Sequence, residues 1–124
     1  MNKIILIGRL TKEPEIKELN NNKYLKNSIA VQRDIKNKNG EYETDFFNFT
    51  VWNKVAEYLH NYSKKGDLVS LIGKLQNRNY EKDGQKIFND EIVVNEIKVL
   101  TYHSKEKASE EIVKENNEEI EFLD

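Results

Sequence analysis

The sequence predicts an all-β fold: a small five-stranded barrel with one short helix, followed by an acidic tail. Three observations carry this. Five stretches alternate apolar and polar residues with the period of two that a half-buried strand requires. Two turn dipeptides, Asn39-Gly40 and Asp83-Gly84, stand between such stretches, and both favour tight hairpins. One stretch of helical period falls between the third and fourth strands.

NKIILIGRL (2–10) is the first strand. TKEPEI follows, and Pro14, the only proline, marks a bend. LNNNK (19–23) is a turn or loop, and YLKNSIAVQR (24–33) is the second strand, with Leu25, Ile29 and Val31 on one face. The polar loop DIKNKNGEYET leads into the aromatic third strand, DFFNFTVWN. NKVAEYLHNYSKKG (53–66) is the helix, with Asn53 as its cap, Val55, Leu59 and Tyr62 on one face, and Gly66 as its stop. DLVSLIGKLQNRNYE (67–81) is a long fourth strand with a bend or bulge at Gly73. KIFNDEIVVNEIKVLTY is the fifth, and its apolar phase slips between Val94 and Ile97, as a bulge would cause. Three strands, a helix and two strands in about 100 residues fit a Greek-key barrel of the OB type.

Composition bounds the function classes. No apolar run reaches the ~18 residues of a membrane span, and the broken apolar N-terminus reads as a strand rather than a signal peptide. The absence of cysteine removes disulfides and thiolate zinc sites and fits an intracellular protein. The net charge of −2 hides an asymmetry. Residues 1–103 hold 17 Lys and Arg against 14 Asp and Glu; residues 104–124 hold 3 against 8. A mildly basic body, 1–103, therefore carries an acidic tail with too few apolar residues to bury, for which disorder or a transient helix is expected.

The third strand is the unusual one. Phe47, Phe49 and Val51 make a core face. The opposite face, Phe46, Asn48, Thr50 and Trp52, is too polar for a core and too aromatic for an idle surface. On the fourth strand Val69, Leu71 and Leu75 point inward, while Lys74, Gln76, Arg78 and Tyr80 form a basic and aromatic row. Side by side, the two rows make a groove of flat rings and cations. Unpaired bases stack on rings for roughly 1–3 kcal/mol each, and Lys and Arg track the phosphates. Lys82 and Lys86 in the last hairpin, with Lys36 and Lys38 in the first, extend the track. Singly these residues have plainer readings: Phe46 and Trp52 also suit a loop or subunit contact, Tyr80 is a ring that strands favour, and the lysines suit solvent. The coincidence of two rows is what favours binding.

Catalysis finds little support. His60 and His103 lack metal-site spacing, no hydroxyl nucleophile stands in a known motif, and no phosphate loop occurs. Asp90-Glu91 is the one pair a metal nuclease would use. No catalytic residue, metal or cofactor is expected.

NKIILIGRLTKEPEI, DFFNFTVWNKVAEYLHNYSKKGD, and GKLQNRNYEKDGQ followed by EIVVNEI together resemble bacterial and phage single-stranded DNA-binding proteins, over roughly residues 1–102. The resemblance implies an OB fold, sequence-independent binding of single-stranded DNA in replication, recombination and repair, a homotetramer, and a cytoplasmic, nucleoid-associated location away from membranes. It places the stacking rings at Phe46, Trp52 and Tyr80, the set the alternation isolates. Ile35 stands where the family often carries a further ring, so stacking is lost there. Arg78 matches a basic position, and Lys3, Arg9, Lys54 and Lys74 are phosphate contacts by resemblance and charge.

The family commonly ends in acidic residues and Ile-Pro-Phe, a tip that docks replication, recombination and repair proteins. Here Glu118, Glu119, Ile120 and Phe122 keep that order, but Glu121 replaces the proline and two residues follow Phe122. The tail is thus either a partner-binding segment or an acidic competitor for the basic groove. The rival to strand coating is an OB-type protein-interaction module of the primosome kind with weak DNA binding, for which Ile35 speaks.

Overall fold

The computed structural model describes residues 1–101. Its elements are β1 (Ile4–Leu10), β2 (Lys17–Leu19), β3 (Asn22–Lys36), β4 (Tyr42–Trp52), α1 (Asn53–Tyr62), β5 (Leu68–Asn77), β6 (Tyr80–Lys82), β7 (Gln85–Ile87) and β8 (Asp90–Val99). The tail, including Glu118, Glu119, Ile120 and Phe122, lies outside the described residues.

Six strands run in the order β1-β5-β8-β4-β3-β2, and β1 also pairs with β3. That second pairing closes a five-stranded barrel of β1, β3, β4, β8 and β5, the OB-type Greek key the element order predicts. β1 divides its hydrogen bonds: Ile4 to Arg9 pair with Gly73 to Leu68 of β5, while Arg9 and Leu10 pair with Ala30 and Ile29 of β3. At Gly8, where it crosses over, a Cβ would collide with the Ala30 carbonyl oxygen. Gly73 is needed for the same reason, beside the Val93 carbonyl. Next to it the β5–β8 register slips, with Ile72 opposite Glu96 and Gly73 opposite Val94. This is the bulge read from the apolar phase of the last strand.

The inward alternation supplies the core: Leu25, Ile29, Phe49, Val51, Val69, Leu71, Ile92, Val94 and Ile97 are buried. Helix α1 adds Ala56 and Leu59 to it and packs Val55 and Tyr58 against it. The Tyr58 hydroxyl accepts from Val99 N at 3.0 Å.

Five expectations need correction. Phe47 and Leu75, read as core, are 40 % and 44 % exposed. Both point inward but lie past the covered part of the barrel. The β1–β5 ladder begins at Ile4 opposite Gly73, so only the Asn2 side chain reaches Leu75, bonding its backbone O and N at 2.8 and 2.9 Å. Phe47 likewise precedes the β4–β8 pairing, which starts at Phe49. Asn53 does not cap α1: its φ is +51°, Trp52 occupies the N-cap, and the Asn53 Oδ1 accepts from Lys23 N at 3.0 Å instead. The helix ends at Tyr62, and Gly66, at φ +90°, serves the following turn, whose N–H donates to Leu10 O. Lys17–Leu19 forms an unforeseen strand, joined to β3 through Asn20-Asn21, both at positive φ as a tight primed turn requires.

The last correction concerns the fourth and fifth strands, which are each interrupted. β5 stops at Asn77 and β8 starts at Asp90. Yet the register does not break. Asn77 opposes Asp90, Arg78 N donates to Asn89 O at 2.6 Å, and Tyr80 opposes Ile87. The Asn79 side chain accepts from Asn89 N at 3.2 Å and replaces a ladder bond. β5–β6 and β7–β8 are therefore one ribbon that outruns the barrel and closes at Asp83-Gly84, both at positive φ.

Substituting Gly8→Ala tests the closure. Overpacking a site walled by backbone costs about 1–3 kcal/mol. Urea unfolding should show a lower midpoint with an unchanged m-value; an unchanged midpoint would show that β1 does not need the close approach.

Candidate nucleic-acid interface

The outer face of the barrel wall can be built from the register. Across β3 and β4, Tyr24 opposes Trp52, Lys26 opposes Thr50, Ser28 opposes Asn48 and Ala30 opposes Phe46. β8 runs parallel to β4, with Thr50 beside Val93, and antiparallel to β5, with Val93 beside Lys74 and Glu91 beside Gln76. Paired residues share a face. One level of the wall therefore reads Lys26, Thr50, Val93, Lys74. The two rows of the sequence reading do share this face, but they are not neighbours: β8 lies between them and contributes Val93 and Glu91.

Phe46 and Trp52 stand six residues apart on β4, which at ~3.3 Å per residue is about 20 Å. Phe46 is 66 % exposed. Trp52 is half-buried, its ring 5.3 Å from that of Tyr24 and tilted by 39°. Tyr80 is exposed on the ribbon, which also carries exposed Lys82 and Lys86. Lys3, Lys54 and Lys74 are exposed. Arg9 is exposed, and its Nη1 donates to Gly66 O at 3.1 Å. Ile35 projects into solvent near the end of β3, on the hairpin that leads to β4.

That hairpin turns through 37–41. Gly40 N donates to Asn37 O at 3.0 Å and Asn37 N to Glu41 O at 2.7 Å, with Gly40 at φ +77°. The Asn37 side-chain oxygen accepts from Asn39 N and Glu41 N. At its base the Arg33 Nε and Nη2 donate to the two Asp45 oxygens, each at 2.9 Å, and Nη1 donates to Glu43 at 2.8 Å.

Thr50, a surface polar residue in the sequence reading, is fully buried. Its hydroxyl donates to Glu91 Oε2 at 2.8 Å. The other Glu91 oxygen accepts from Arg78 Nε at 2.8 Å and also from Nη2. Glu91 is nine-tenths buried. Asp90, its neighbour in the supposed metal pair, accepts from the Asn77 amide at 2.9 Å. Alternation sends these two carboxylates to opposite faces, and each has its own partner. No group of three metal-ligating side chains occurs among the described residues.

Sequence reasoning missed Tyr24 and Lys26 on this face, although assigning Leu25, Ile29 and Val31 inward already left them outward. It also missed Phe88, an exposed ring beside Ile87 on the ribbon. It left Glu91 without a partner, because no local signal ties it to Arg78 or Thr50.

The Arg33–Asp45 contact makes a titration prediction. The hydrogen bond from Arg33 holds the Asp45 carboxyl below its usual 3.8. A carboxyl with a depressed folded value adds stability that is present above the unfolded value and lost as pH falls through the folded one. The group is exposed, so the effect on stability is small. An NMR titration should place the Asp45 midpoint below 3.8 and return it to the ordinary value in Arg33→Gln. Equal midpoints in the two proteins would remove the contact in solution.

Comparison with known proteins agrees with this architecture. Residues 1–100 match the model of the single-strand binding protein family. The chain is 40 % identical over 117 residues to single-stranded DNA-binding protein 2 of Streptococcus agalactiae, covering 94 % of this chain and 86 % of the relative. It is 47 % identical over 103 residues to single-stranded DNA-binding protein 1 of Clostridium acetobutylicum, covering 81 % and 94 %. Over 124 residues it is 38 % identical to single-stranded DNA-binding protein 1 of Streptococcus pyogenes, covering 99 % and 91 %. With an OB barrel, a ring-and-cation face on its wall and a family match across the whole described body, the chain belongs to the single-strand binding protein family.

Proposed function

We propose that this chain coats exposed single-stranded DNA, without reading its sequence, in replication, recombination and repair. The observation that carries the reading is the outer wall of β3, β4, β8 and β5. It spaces Phe46 and Trp52 along about 20 Å of strand β4 and interleaves them with Lys26 and Lys74. Tyr80 and Lys82 extend the same chemistry along one face of the ribbon, and Lys86, opposite Glu81 in the register, adds a cation on its other face.

The mechanism is differential binding. Bases in a duplex are stacked and paired, so only a single strand can offer its faces to Phe46, Trp52 and Tyr80. Each stacked base is worth roughly 1–3 kcal/mol, and each neutralised phosphate releases counterions and makes affinity fall with salt. Lys3, Arg9, Lys54, Lys74 and Arg78 are the phosphate contacts in this reading. Coating shifts the strand equilibrium toward the unpaired form by mass action. No step makes or breaks a covalent bond, so the function needs neither a catalytic residue nor a cofactor. The body, 1–103, does the binding, and the acidic tail, 104–124, either docks partner enzymes through Glu118, Glu119, Ile120 and Phe122 or competes with DNA for the basic face.

Self-association belongs to the same reading. Ile5 and Ile7 on β1 point away from the core and are 63 % and 56 % exposed, with Ile5 opposite Ile72 of β5. Apolar residues set side by side on a strand face favour a partner surface. A homotetramer is the assembly this reading takes, and light scattering should report a mass of about four chains. A monomer that binds DNA would detach the assembly from the function.

Trp52 is the only tryptophan and reports the face directly. Oligo-dT should quench its fluorescence at low protein concentration, and a matched duplex should not. Phe46→Ala should weaken oligo-dT binding by about tenfold, one stacked base, with unchanged circular dichroism. An absent response to oligo-dT, with no gel shift, would replace strand coating by the protein-interaction reading.

A further inference from the structure

Two arginines on this barrel are bound to carboxylates, and they are bound differently. Arg33 spends all three guanidinium nitrogens on Asp45 and Glu43. Arg78 spends one edge. Its Nε and Nη2 both donate to a single oxygen of Glu91, and among the described residues Nη1 has no protein acceptor. The Arg78 side chain is about half exposed while that of Glu91 is 10 % exposed. Glu91 is in turn fixed from behind, because its second oxygen accepts from the fully buried Thr50 hydroxyl.

A carboxylate within the wall of a polyanion-binding face needs a reason. Its field opposes phosphate. The ion pair also yields little net stability, since desolvating Glu91 offsets its attraction to a half-exposed Arg78. The geometry supplies the reason. With Nε and Nη2 both donating to one oxygen of Glu91, the planar guanidinium is restrained along that edge, and its Nη1 end is turned away from the carboxylate. Without the pair, Arg78 would lose side-chain freedom on every encounter with DNA.

We infer that Glu91 is a positioning residue for DNA binding: it anchors Arg78, with Thr50 behind it, so that the free end of the guanidinium meets a phosphate of the bound strand. The inference rests on the strand-coating reading above. It assigns Glu91 and Thr50, neither of which touches DNA, to the binding machinery.

The sign of one substitution separates this from a structural role. Glu91→Gln removes a negative charge from the face. If Glu91 only packs, or only repels, oligo-dT affinity should stay the same or rise. If it positions Arg78, affinity should fall about tenfold, the loss of one charge-assisted contact. The slope of log affinity against log salt should become shallower by about 0.7, one phosphate contact to a single strand. In an Arg78→Ala background the same Glu91→Gln change should no longer lower affinity. Thr50→Val should give a smaller loss, and Thr50→Ser should keep the hydroxyl and restore binding. The Thr50 pair carries the test if Glu91→Gln does not fold, as judged by circular dichroism and the unfolding midpoint. Wild-type protein that fails to bind oligo-dT would overturn the coating reading itself. Wild-type binding with an unchanged or higher affinity in Glu91→Gln, or an unchanged salt slope, would overturn the positioning role alone.

Discussion

The barrel is closed by a strand with two partners. β1 pairs with β5 along most of its length and with β3 only through Arg9 and Leu10. That handover is sterically possible because Gly8 has no side chain to strike the Ala30 carbonyl. Much else follows from where β1 begins and ends. Its first pair, Ile4 with Gly73, sets the level at which the barrel stops being covered. Beyond that level β5 loses β1 and keeps only β8, so Leu75 is left at an open mouth; past Ile92 β8 no longer pairs with β4, and the two strands continue as a ribbon. The arm carrying Tyr80, Lys82 and Lys86 thus has its origin in the length of the closing strand.

The second constraint is the parallel insertion of β8 between β4 and β5. A simple meander would set the aromatic row of β4 directly beside the basic row of β5. The Greek key separates them by one strand and widens the wall, adding ~4.8 Å between neighbours. It also brings Glu91 into the face, next to Thr50 of one neighbour and within reach of Arg78 beyond the other. The Thr50–Glu91–Arg78 network is therefore a product of topology. Three residues 13 and 41 positions apart meet because one strand runs between the other two.

What the sequence made legible was local. Alternation identified the strands and the inward set Leu25, Ile29, Phe49, Val51, Val69 and Leu71. Asp83-Gly84 and Asn39-Gly40 marked real hairpins, and the phase slip between Val94 and Ile97 marked a real bulge. Non-local facts were not legible. Alternation tells which way Phe47 and Leu75 point but not whether another strand covers them, so both were assigned to the core and both are partly exposed. Asn53 has a capping side chain and the right place, yet it takes a left-handed φ and bonds back to Lys23 across the sheet. The three-residue β2 carries too short a pattern to stand out from a loop. On the interface, the rows of rings and lysines were visible while the strand between them was not.

The charges of the interface are best judged by their partners rather than by their number. Arg33 is as basic as Arg78 in the sequence, but two carboxylates occupy it fully, so it adds little free field to the β3–β4 hairpin at whose base it sits. Lys23 is paired with Glu57 at 3.3 Å. Among the described residues Lys26 and Lys74, at one level of the wall, have no ion-pair partner, and neither do Lys82 and Lys86 on the ribbon. The unspent charge is thus mostly lysine: compact, hydrated and free to follow a backbone wherever it lies. That suits binding without sequence readout, in which phosphates must be tracked and no base edge recognised. Arginine, whose planar fork rewards fixed geometry, is kept where the protein fixes it. In the proposed reading the wall therefore pairs free lysines with the rings of Phe46 and Trp52 and with the Arg78 guanidinium that Glu91 holds, so that the lysines follow the backbone while the rings and the held arginine give the strand its place.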